Sequence, residues 1–146
     1  MLSTPPPYET AFKNDSAFIE AFESRTLPFT EWVHAAHIRM AWIYLTGHGF
    51  EGALSRAREG IKAYNKVNNV VDAPLSGYHE TITQAWLRVV HATIRGQDPS
   101  ASSLEFLEAQ PHLRVRTLLR VFYSKARILL PEAKTKFVPP DLGALP

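Results

Sequence analysis

The 146-residue chain has no cysteine. Disulfides, thiolate metal sites, iron–sulfur clusters and a cysteine nucleophile are excluded together. The absence also fits a reducing compartment, so a cytoplasmic location is expected. Long apolar runs are missing too. None reaches the roughly 18 residues of a membrane-spanning helix, and no membrane association is expected. The opening Met1-Leu2-Ser3-Thr4-Pro5-Pro6-Pro7 lacks the charged and apolar regions of a secretory leader, so none is read. Charge of one sign is scarce. Sixteen basic side chains against fourteen acidic give +2 with histidine neutral, too little to argue for nucleic acid. No P-loop, dinucleotide fingerprint or nucleophile-elbow motif is present.

What is there suits one folded domain. Hydrophobic residues make up 45% and charged residues 21%, a balance that supports a core and argues against wholesale disorder. The whole chain, 1–146, reads as a single helical domain. Residues 1–13, with three consecutive prolines, form an extended lead-in. A proline-bearing tail covers 137–146.

Helical spacing recurs along the chain. A first helix is expected from about Ser16 to Arg25, capped by Asn14 or Asp15. A second follows with Thr30 as N-cap and Glu31 in its first turn. It runs from Trp32 to Leu45, closes near Gly47, and is apolar nearly all round, which places it in the middle of the domain. A third spans about Phe50 to Val67, with Ala53, Leu54, Ala57, Ile61 and Tyr64 on its stripe and Arg56, Arg58, Glu59, Lys62 and Lys66 largely solvated. Asn68 to Gly77 is a loop. A fourth extends from about Tyr78 to Arg95. A shorter one is opened by Asp98-Pro99 and stopped by Pro111. The last, through Val115, Leu118, Leu119, Phe122, Ala126 and Leu129, ends at Pro131. No convincing strand appears. The expectation is an all-α bundle of five or six helices around the buried second one.

Histidines carry the chemical interest. His34 and His37 are three residues apart on one face of the second helix. His79 opens the fourth helix in line with Ile82 and Trp86. Three inward imidazoles on two helices resemble the way bundle metal sites are built. The plainer role for each is a core histidine bonded to backbone. Glu80 is a candidate fourth ligand or general base, and otherwise a first-turn carboxylate complementing the helix dipole. Tyr44 lies on nearly the same line as His37. His48 reads as a loop residue, and His91 and His112 read as solvated. Arg114, Arg116, Arg120, Lys125 and Arg127 give the last helix a basic side. Without interleaved exposed aromatics that is poor evidence for nucleic acid.

Trp32-Val33-His34-Ala35-Ala36-His37, the pair Tyr64-Asn65 and Gly77-Tyr78-His79-Glu80-Thr81 resemble the motifs of a family of small, largely uncharacterised all-helical proteins. The likeness extends to Tyr123-Ser124 and to Phe137-Val138-Pro139-Pro140-Asp141-Leu142 with the closing Leu145-Pro146. It covers about residues 18–146. The chain departs from the pattern at Lys125-Ala126-Arg127-Ile128. The resemblance implies a shared site and names no reaction.

The resulting expectation is a metal-dependent enzyme acting on a small organic substrate. His34, His37, His79 and Glu80 would hold one divalent metal ion. Glu80 and Tyr78 are the catalytic candidates, and Tyr44, Tyr64 and Asn65 would hold the metal's ligands in place or touch the substrate. Zinc would serve hydrolysis, hydration or isomerisation; iron or copper would serve oxidation. Non-redox chemistry is slightly favoured. The alternative is a non-catalytic ligand-binding or regulatory module whose histidines are core residues.

Overall fold

Among residues 5–146, which the computed structural model describes, six α-helices and three 3-10 turns carry the fold. The only β pairing among them is an isolated bridge between Ala73 and Ser76. The all-α expectation therefore holds. The first four residues of the lead-in lie outside the described part; residues 5–13 have no regular structure.

Helix α1, Asp15–Glu23, is capped by Asn14, whose Oδ1 accepts from the Ala17 N–H at 3.0 Å. Phe18 and Phe22 are its buried anchors. Helix α2, His34–Val67, joins the expected second and third helices. They meet at Gly49, whose φ of 71° and ψ of −178° are not helical. A side chain there would have space around it, but the backbone conformation favours glycine. The N-terminal half buries Ala35, Ala36, Ile38, Met40, Ala41 and Leu45, so it is central as its apolar surface requires.

Thr30 and Glu31 do not start this helix. They belong to a 3-10 turn, Phe29–Glu31, and α2 begins at His34 with Val33 in the cap position and no side-chain cap bond. Trp32 leaves helical geometry to stack on Phe22, ring centroids 4.6 Å apart. The Glu31 carboxylate holds the lead-in through the Thr10 hydroxyl and the Ala11 N–H.

Helix α3, Glu80–Arg95, packs along α2 and is capped by His79. Helix α4, Ser103–Ala109, is capped by Ser102, so Asp98-Pro99 does not open it. The expected last long helix is broken. Two 3-10 turns, Pro111–Arg114 and Leu118–Val121, precede short helices α5, Lys125–Ile128, and α6, Pro131–Thr135. Tertiary bonds override the helical spacing here. The Tyr123 hydroxyl donates to the Val138 carbonyl at 2.7 Å, and the Ser124 N–H and hydroxyl donate to Asp141 at 2.8 and 2.6 Å. Ser124 then caps α5. A continuous helix would spend the Ser124 N–H within itself and could not give it to Asp141.

One polar network crosses the core. Arg39 on α2 is fully buried. Its guanidinium donates to Ser103 Oγ at 2.8 Å, the Phe12 carbonyl at 2.7 Å and Asp15 Oδ1 at 3.2 Å, and lies 4.1 Å from the Phe18 ring centre. Asp15 also accepts from the Ser103 N–H at 2.8 Å and from its hydroxyl. The lead-in, α1, α2 and α4 are thereby tied at one point. No helix among the described residues is long and apolar enough to cross a membrane.

Candidate functional site

The motif residues were expected to converge on a metal. The structure gives each of the histidines a backbone partner. His34 Nε2 lies 2.8 Å from the Leu113 carbonyl, with the ring packed on Trp86. His37 Nδ1 lies 2.8 Å from the Val33 carbonyl, with the ring tilted over Trp32, centroids 3.8 Å apart. His79 uses both nitrogens: Nδ1 accepts from the Ile82 N–H at 3.1 Å and Nε2 meets the Ile128 carbonyl at 3.0 Å. Among the described residues no three His, Asp or Glu side chains come together in a way that could hold a metal ion. The sequence placed His34, His37 and His79 in one group; the structure sets them at three joints of the scaffold.

These joints leave the rings neutral. Burial lowers the pKa of His34 and His79 and takes His37 to about 4, while the backbone bonds oppose the shift. Arg116 adds a repulsive charge near His34 and His37. A histidine with a depressed folded-state pKa contributes stability that is whole above its unfolded value of about 6.5. That contribution is lost as pH falls through the folded value, because the unfolded chain then binds more protons. The melting temperature should therefore drop between pH 7 and pH 4, equally with and without a chelator. A drop that a chelator abolishes would return the histidines to a metal.

Glu80 is buried, 6% exposed, and its carboxylate is saturated. Oε1 accepts from Arg58 Nε at 2.9 Å and the Tyr78 hydroxyl at 2.8 Å; Oε2 accepts from Arg58 Nη2 at 2.7 Å and Gln84 Nε2 at 2.6 Å. Arg58 above all holds its pKa down at about 2. A carboxylate with four donors and so low a pKa has no lone pair directed at a metal and is a poor base. Arg58, expected in solvent, is the other half of this bidentate pair.

Gly77-Tyr78-His79-Glu80-Thr81 thus works as a joint. Gly77 has φ of 89°, and a Cβ there would crowd Asp72. Thr81 Oγ1 lies 2.7 Å from the Ala133 carbonyl and 2.9 Å from that of Lys136, and accepts from the Val138 N–H at 3.1 Å. Of the remaining candidates, the Tyr44 hydroxyl donates to Glu23 at 2.7 Å and the Tyr64 hydroxyl to the Leu27 carbonyl at 2.7 Å. Both phenols are raised in pKa, chiefly by burial.

Three expected site residues do share a cleft. Asn65, Tyr78 and Glu80 line a cavity of about 890 Å³ between the second half of α2, the loop before α3 and the end of α6. Lys62 lies 5.0 Å from the Tyr78 ring centre. Phe137 lines the opposite part, with the Arg88 guanidinium 4.6 Å from its ring centre. The charge is one-sided. Arg58, Lys62, Lys66, Lys134 and Lys136 face it with two carboxylates, Asp72 and Glu80. Both carboxylates are engaged, Glu80 by Arg58 and Asp72 by Lys134. The Tyr78 hydroxyl is pushed up to about 12, by burial first and then by its bond to Glu80. Lys62 and Lys66 were expected only as solvated residues, though Arg58, Lys62 and Lys66 stand at a spacing of four on one helix face. Like charges so placed destabilise a helix unless something neutralises them.

Comparison with protein-family models, curated proteins and solved structures finds no match to this chain.

Proposed function

We propose that this chain is a helical binding module for a small anionic organic ligand, taken up in the Tyr78 cleft. The observation that carries the reading is the pair Lys62 and Lys66, exposed on one face of α2 at the cleft and left over once Arg58, Lys134 and Lys136 are matched by Glu80, Asp72 and Glu132. The volume, about 890 Å³, falls within the range of small-molecule sites. Tyr78 and Phe137 offer aromatic surface for an apolar or ring-bearing body. Lys62 and Lys66 are free of ion pairs among the described residues and would meet a phosphate or carboxylate directly. Asn65 would donate or accept at the ligand's edge. Glu80 acts by fixing Arg58, not by moving a proton.

This favours binding over turnover. The two catalytic candidates, Glu80 and Tyr78, are shifted away from neutrality in opposite directions. The metal-dependent enzyme expected from the histidine spacing draws no support from where the rings point. A reducing, cytoplasmic setting remains consistent with the lack of cysteine.

Calorimetric titration with phenyl phosphate tests the reading. Saturable binding that depends on Lys62 and Lys66 is expected, weakening as salt rises. The double variant Lys62→Glu/Lys66→Glu should weaken it by about tenfold or more, since each lost charge-assisted bond is worth on the order of 1.5–3 kcal/mol. No saturable binding, or binding indifferent to the two reversals, would overturn it.

A further inference from the structure

A second cavity lies on the other side of α3 and shares no lining residue with the Tyr78 cleft. It has a volume of about 530 Å³. Its interior is apolar: Leu119 is buried, and Ile82 and Trp86 are half-buried. The Trp86 indole is held from behind by His34, ring centroids 4.7 Å apart, and His34 is itself fixed by the Leu113 carbonyl. The aromatic wall is therefore preorganised. At the mouth stand Arg116, Arg120 and Lys125, all exposed. None of the three makes an ion pair among the described residues, and no carboxylate lines the cavity.

An apolar, aromatic-walled pocket ringed by unneutralised cations fits one kind of occupant. We infer that this pocket binds a small amphipathic anion, an aromatic body lying on Trp86 with a carboxylate or sulfonate held by Arg116, Arg120 and Lys125. Two of the three cations are arginines, whose planar guanidinium suits a planar carboxylate. Burying the body in the apolar interior supplies affinity, and the cations supply selection for charge. A purely polar anion would leave Trp86 and Leu119 uncovered; a neutral aromatic would leave the cations unpaired. The site is independent of the Tyr78 cleft and stands or falls separately.

The experiment is calorimetric titration with 2-naphthoate and with the neutral 2-naphthylmethanol. On the Lys62→Glu/Lys66→Glu background, which removes the free cations of the Tyr78 cleft, one naphthoate should bind saturably and the alcohol about tenfold more weakly. On that background Arg116→Glu/Arg120→Glu should weaken naphthoate binding by about tenfold or more. Arg95→Glu, an exposed charge reversal on α3 outside the pocket, should leave it unchanged. All five substituted positions are exposed surface charges, and a melting curve confirms that each variant is folded. Naphthoate binding that survives the Arg116/Arg120 reversal, an alcohol that binds as tightly, or no saturable binding on the Lys62→Glu/Lys66→Glu background would overturn the inference. Loss on Lys62→Glu/Lys66→Glu with none on Arg116→Glu/Arg120→Glu would assign the anion to the Tyr78 cleft and overturn it as well.

Discussion

Asp15→Ala should destabilise the fold by about 3–5 kcal/mol, the range for removing one partner of a buried ion pair. Arg39 is 0% exposed, and its guanidinium needs a partner for its charge. Asp15 is its carboxylate partner and also holds the Ser103 N–H at the start of α4. Without it a buried cation keeps only Ser103 Oγ, the Phe12 carbonyl and the Phe18 ring. Arg39→Met should be milder. It leaves Asp15, whose side chain is 24% exposed, able to reach water, and fills the space with apolar volume. In a chain of this size the larger loss corresponds to a fall of roughly 10 °C in melting temperature. Urea denaturation of both variants checks the asymmetry. An Asp15→Ala cost no greater than that of Arg39→Met would contradict the account of the core.

Glu80→Gln should cost about 3 kcal/mol, while Glu59→Gln, on an exposed position of α2, should cost little. Glutamine keeps the shape but turns one oxygen into an amide donor. That amide would face donors from Arg58 and either Gln84 or Tyr78. Arg58 is 38% exposed and recovers some hydration, which holds the cost at the lower end of the range. The pH dependence separates this effect from general damage. Glu80 has a folded-state pKa of about 2 against an ordinary 4.5. Its stabilisation is therefore present above about 4.5 and is lost as pH falls toward 2. Wild type should lose stability over that window, and Glu80→Gln should lose much less there. Parallel acid limbs would remove the Arg58 pair from the account.

Much of the helical frame was legible in the residues. The spacing of Phe18 and Phe22 and the apolar girth of the helix that runs to Leu45 follow from local chemistry; the break expected near Gly47 falls two residues on, at Gly49. Those signals survive because no distant group competes for the same backbone. The stretch from Val115 to Leu129 shows the reverse. Its apolar spacing is helical, yet Tyr123 and Ser124 spend their polar groups on Val138 and Asp141. Spacing within a segment carries no information about a partner in the tail. The histidines illustrate the same gap. Three inward rings on two helices satisfy a metal pattern and a backbone-bonding pattern equally well. The deciding carbonyls, of Leu113 and Ile128, lie 79 and 49 residues from His34 and His79. Arg39, the one charge within an apolar helix, was the available signal for a buried network. The row Arg58, Lys62 and Lys66 was the available signal for the cleft.

The most direct test of the Tyr78 cleft is residue-level. Amide chemical shifts of isotopically labelled protein should be followed while phenyl phosphate is added. Saturable shifts are expected at Lys62, Lys66, Gly77, Tyr78 and Lys136, residues that line one cavity from three parts of the chain. Shifts absent from these amides, or confined to the neighbourhood of Arg116 to Lys125, would contradict binding in this cleft.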